Sequence, residues 1–171
     1  MKKTYRKGGV GAMMDEYERA AGELKNVLAR ASEEQYTRII DPDTKDPDCR
    51  SIQTIITHVV RAGYGYADYI RGAFGIPSET PKEHLRGSPN GPGGSGVMVA
   101  RQEAAGKIDG FLRYTAETLE GKWEMTDEEI MAVSMKVRWG PTYDLEQLLE
   151  HAIVHILRHR RQIERFLERM G

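Results

Sequence analysis

Apolar residues recur at intervals of three and four along four separated stretches of this 171-residue chain, the spacing that lines one face of an α-helix. From about residue 12 to 31 the stripe is Met13, Met14, Tyr17, Ala21, Leu24, Val27 and Leu28. A second stretch runs to about residue 73 through Ile52, Ile55, Ile56, Val59, Tyr66 and Ile70, with Ser51 placed to cap it. A third, from about 98 to 120, carries Ala104, Ala105, Ile108, Phe111, Leu112 and Leu119. The last holds Leu145, Leu148, Leu149, Ala152, Ile156, Ile163, Phe166, Leu167 and Met170, and Asp144 with Gln147 has the spacing of a capping box at its start. Before it the period drops to two. Met131, Val133, Met135, Val137 and Trp139 alternate with Ala132, Ser134, Lys136 and Arg138, which predicts a short strand or extended arm ended by Gly140 and Pro141. The expectation is an all-α four-helix bundle with a short extended or β arm before the last helix, one domain over residues 1–171.

The connecting segments read differently. DPDTKDPDC, ending at Cys49, has the composition of an exposed loop, and this single cysteine excludes an internal disulfide framework. Nothing near it in sequence would lower its pKa, so no catalytic role is assigned to it. Pro77 to Gly96, with GSPNGPGGSG, is rich in Gly, Pro and Ser and predicts a mobile loop, most mobile over residues 87 to 96. His84, in KEHLRG, is expected at the surface.

Charge narrows the function classes. Lys and Arg number 25 against 26 Asp and Glu, a net charge near −1 that gives no electrostatic reason for nucleic acid or an anionic membrane as partner. No apolar run reaches the length of a signal peptide or a membrane span, so a cytoplasmic protein is expected. No phosphate-cradling GxxxxGK[ST] loop occurs.

The last helix carries HAIVHILRHRRQI, with histidines at 151, 155 and 159. Residues four apart are separated by only about 40° around a helix, so His155 and His159 share a seam with Leu148, Ala152 and Phe166 and point inward. His151 lies about 80° from His159, too far round for all three to serve one ion without distortion. On the second helix His58 shares a face with Ile55, Ala62, Gly65 and Tyr69 and can also face the interior. Two readings fit: hydrogen-bonded core histidines, or a metal site of three neutral nitrogens from two helices with coordination positions left open.

The order of elements, His58 within ITHVV, and above all H-x3-H-R-x-Q-I from His155 to Ile163 resemble the DinB-like family of four-helix bundles, which includes metal-dependent mycothiol and bacillithiol transferases. The resemblance covers nearly the whole chain and departs at Arg161, where the family commonly has glycine. It implies a divalent metal, nickel or zinc with iron or manganese as alternatives, held by His58, His155 and His159. It further implies a small-molecule substrate and a low-molecular-weight thiol as cosubstrate, whose thiolate attacks an electrophile. A metal-dependent hydrolase would use the same open site, the cation lowering the pKa of water instead. No catalytic residue is assigned; His151 and Glu150 are weak candidates for orienting a ligand or moving a proton. The competing class is a non-catalytic metal-binding or interaction protein, and the arm with the charged face of the last helix suits a homodimer.

Overall fold

The computed structural model describes residues 4–84 and 97–171. Its helices are α1 (Gly8–Leu28), α2 (Glu33–Thr37), α3 (Ile52–Ala73), α4 (Arg101–Thr118), α5 (Asp127–Ala132) and α6 (Leu145–Met170). A two-stranded antiparallel hairpin, β1 (Met135–Lys136) with β2 (Thr142–Tyr143), pairs Met135 with Tyr143 and Lys136 with Thr142. The described chain is therefore predominantly α-helical. None of its helices is long and apolar enough to cross a membrane.

The starts of these helices follow from local chemistry. Ser51 accepts a hydrogen bond from the backbone of Thr54, and Asp144 from that of Gln147; each partner's side chain returns a bond to the cap, so backbone donors at both starts are satisfied. The same device starts two short helices that the apolar period does not reveal, Ser32 with Gln35 before α2 and Thr126 with Glu129 before α5. The first helix begins earlier than its apolar stripe predicts. Arg6 is held to Asp15 and Glu18, and Gly8, at φ +71°, starts the helix against the backbone of Trp123. A Cβ at Gly8 would lie 2.1 Å from the Trp123 carbonyl oxygen, so the close approach needs glycine.

Four long helices make the core. α1 packs against α4 and α6, and α3 against the same two. Their apolar faces meet in one cluster in which Met14, Tyr17, Ile52, Ile55, Ile56 and Phe111 are fully buried. α3 and α4 come especially close where Gly63 faces the ring of Phe111. Arg160 of α6 is ion-paired with Glu23 of α1.

The predicted arm is corrected in extent. Residues 131 and 132 belong to α5, and ladder pairing is confined to residues 135–136 and 142–143 because the chain turns through Gly140, at φ +122°, and Pro141. Within that reach the alternation holds: Met135 and Val137 are buried while Lys136 and Arg138 are exposed.

Two expectations about exposure are also corrected. In DPDTKDPDC, Pro42, Asp43, Lys45 and Asp46 are exposed as expected, but the segment ends in a 3-10 turn, Pro47–Cys49, that lies on α3 and buries Asp48 and Cys49. His84 ends another such turn and is buried, its ring stacked on Tyr64 with centroids 5.0 Å apart. Composition alone reads both segments as solvent-facing; the cover comes from α3, on which both turns lie. The expected mobility of residues 87 to 96 lies outside the described residues. Just before them, Thr80 and Tyr114 both donate to the carboxylate of Asp68 at 2.8 Å, which ties the segment after α3 to α4.

Candidate metal centre

α3 and α6 pack with His58 facing His155 and His159. The Nε2 atoms of His58 and His155 lie 2.9 Å apart, and those of His155 and His159 3.2 Å apart. One ligand atom from each of the three residues falls within a 4.8 Å cluster. For two of the three, the other ring nitrogen points away to a fixed partner: Nδ1 of His58 lies 3.2 Å from Oδ2 of Asp48, and Nδ1 of His159 lies 3.1 Å from Oε1 of Gln162.

These partners determine what the centre of the cluster can hold. Carboxylate and amide oxygens accept hydrogen bonds, so each of those Nδ1 atoms carries the proton and leaves its Nε2 as a lone pair aimed inward. His155 Nε2, between the two, can donate to one of them at most. A cation satisfies all three. With metal–nitrogen distances of about 2.0–2.1 Å, ligands set between octahedral and tetrahedral angles stand about 2.8–3.4 Å apart, and the two separations from His155 fall in that range. Outward nitrogens tied to oxygen acceptors are the arrangement that orients metal-binding imidazoles.

Electrostatics favour the neutral, ligating form. Burial, followed by the neighbouring histidines, holds His155 well below the usual imidazole range. Burial and then His58 lower His159 to about 4, against the rise caused by its bond with Gln162. Neither ring therefore needs to lose a proton to bind a metal at neutral pH.

The three histidines form part of the wall of a cavity of about 620 Å³. One side is aromatic: His151 stacks on Trp139 at 5.2 Å and meets Tyr66 edge-on at 5.5 Å, while Tyr66 also stands edge-on to His155 at 5.7 Å. His151 thus belongs to the cavity wall, outside the converging trio. Glu150 lies on the exposed face of α6 and does not line the cavity.

Several participants escape a reading of the sequence. Asp48 sits in a segment whose polarity suggests only solvent, and no periodic signal links it to His58. Gln162 lies three residues beyond His159, a helical neighbour spacing that could have singled it out. It also lowers the pKa of the Cys49 thiol, against the larger rise caused by burial. Tyr66 reads as a core position of the α3 stripe, yet it lines the cavity. No family model, curated protein or solved structure matches the chain.

Proposed function

We propose that the chain is a metal-dependent enzyme of the DinB-like four-helix-bundle type, with His58, His155 and His159 as ligands, transferring a low-molecular-weight thiol to a small electrophile. The observation that carries this reading is the convergence of three Nε2 atoms, with the partner nitrogens of two of the rings held by Asp48 and Gln162. A divalent ion there, nickel or zinc with iron or manganese as alternatives, favours the thiolate over the thiol at neutral pH. The three imidazoles add no negative charge, so they leave the full charge of the ion to act on the thiol. Asp48 and Gln162 keep the ligand rings oriented. The aromatic side formed by Trp139, His151 and Tyr66 gives the electrophile an apolar surface to lie against. In the transfer a sulfur–carbon bond forms as the bond from that carbon to its leaving group breaks, and the thiol proton passes to solvent.

The test starts with metal analysis of protein purified without a nickel column. Consumption of bacillithiol, mycothiol and coenzyme A with a generic electrophile is then measured beside hydrolysis of an ester. Metal-dependent loss of one thiol, reduced by His58→Ala, supports the transferase. Ester hydrolysis alone moves the chain to the hydrolases, and inert protein that retains its metal moves it to the binding class.

A further inference from the structure

The cavity beside the histidines holds polar groups of uneven commitment. Its three aspartates are all engaged. Asp46 accepts from the backbone of Asp48, Asp48 faces His58 and the charge of Arg61, and Asp68 accepts from Tyr114 and Thr80. Two of its arginines are not engaged in this way: among the described residues, neither Arg138 nor Arg158 forms an ion pair with a carboxylate. Both line the cavity, as does Tyr66, and the charges of both act on its phenol.

Tyr66 is the third member. Only 7% of it is exposed, and its ring is clamped edge-on by Trp139, His151 and His155. Its hydroxyl makes no hydrogen bond among the described residues, yet it is absent from the buried polar atoms that lack both solvent and partner. The hydroxyl therefore opens on the cavity it lines. A phenol is protonated at neutral pH, so this hydroxyl is free to donate into the cavity.

We propose that Tyr66, Arg138 and Arg158 form an oxyanion-binding subsite next to the three-histidine centre, which holds a carboxylate or phosphate group carried by the substrate or cosubstrate. Guanidinium groups bind such groups through paired, charge-assisted hydrogen bonds, and a phenol adds a third donor at fixed geometry. The sign follows from the surroundings: neutral ligands leave a divalent ion its whole charge, the nearby carboxylates are already partnered, and two guanidinium groups add to the positive side. An anionic ligand is thereby selected over a neutral one of the same shape. The inference deepens the proposed function and rests on its metal site, while adding a substrate class to it.

The experiment has two arms, each run on the wild type, Tyr66→Phe and Arg158→Gln; the first substitution removes only a hydroxyl and keeps the packed ring. In the first arm, mercaptopropionate and mercaptopropanol are titrated into nickel-loaded protein and followed by sulfur-to-metal absorption. The acid should bind the wild type about tenfold more tightly than the alcohol, the scale of one charge-assisted hydrogen bond. That ratio should fall in both variants while nickel content stays unchanged. In the second arm, succinate and inorganic phosphate should raise the melting temperature of the wild type more than that of either variant, the larger shift identifying carboxylate or phosphate as the preferred group. A wild type that shows neither the acid preference nor anion stabilisation overturns the subsite. So do variants that retain both effects, since the anion would then be held by the metal alone. If neither thiol reaches the metal but anions still stabilise in a Tyr66- and Arg158-dependent way, the subsite stands and the thiol chemistry falls. Should the protein take up no nickel, the anion arm run on metal-free protein decides the subsite by the same criteria.

Discussion

The carboxylate of Asp48 lies 3.2 Å from Nδ1 of His58, in a turn that covers α3 ahead of the ligand-bearing face. The pairing fixes which nitrogen of His58 is protonated and therefore which one is free to ligate. Asp48→Asn keeps the shape and loses the charge. It should weaken metal affinity about 10- to 100-fold, the usual range for such outer partners. Competition with a chromogenic chelator measures it, and affinity equal to wild type would show that Asp48 serves the fold alone.

Bound metal should stabilise the native state by mass action, about 2.7 kcal/mol at a free concentration a hundred times Kd. Chelation should accordingly lower the melting temperature of the wild type and leave His155→Ala unaffected. His84→Ala loses the stacking on Tyr64 and should melt lower, yet it should keep the full response to chelator. The opposite pattern in these two variants would place the metal elsewhere.

Acid should destabilise the metal-free protein through the same rings. His155 and His159 have folded-state pKa values below the ordinary imidazole value, so below about pH 6.5 the unfolded chain binds more protons than the native one. Stability is then highest above that pH and is lost as pH falls toward about 4, where His159 titrates in the fold. Urea midpoints across this window should decline steadily, and His159→Ala should show a shallower decline. A midpoint constant from pH 7 to 4 would contradict the burial of these rings.

Gly63→Ala tests the packing of α3 on α4. The added Cβ would sit 2.5 Å from the ring of Phe111, which is fully buried and cannot swing away without leaving the core. Overpacking of this kind costs about 1–3 kcal/mol. Denaturant unfolding should report that loss without a change in metal content; a neutral result would mean that α3 and α4 can separate freely.

The sequence by itself determined what is decided within a turn or two of helix. Four apolar stripes locate the long helices, and the Asp144–Gln147 box starts α6 where its spacing predicts. The four-residue interval puts His155 and His159 on one inward seam, because helical rotation is the same in any fold. Helices of five and six residues, α2 and α5, are too short to display a period, although Ser32 with Gln35 and Thr126 with Glu129 mark their starts. Tertiary structure alone decided the rest. His58 and His155 are 97 residues apart, and only the packing of α3 against α6 brings their Nε2 atoms together. Asp48, Cys49 and His84 sit in polar segments that composition assigns to solvent, yet each is buried. Tyr66 shows the converse, an apolar-stripe position whose hydroxyl meets the cavity. Burial depends on which distant surface arrives to cover a residue, and no local pattern of neighbours contains that information.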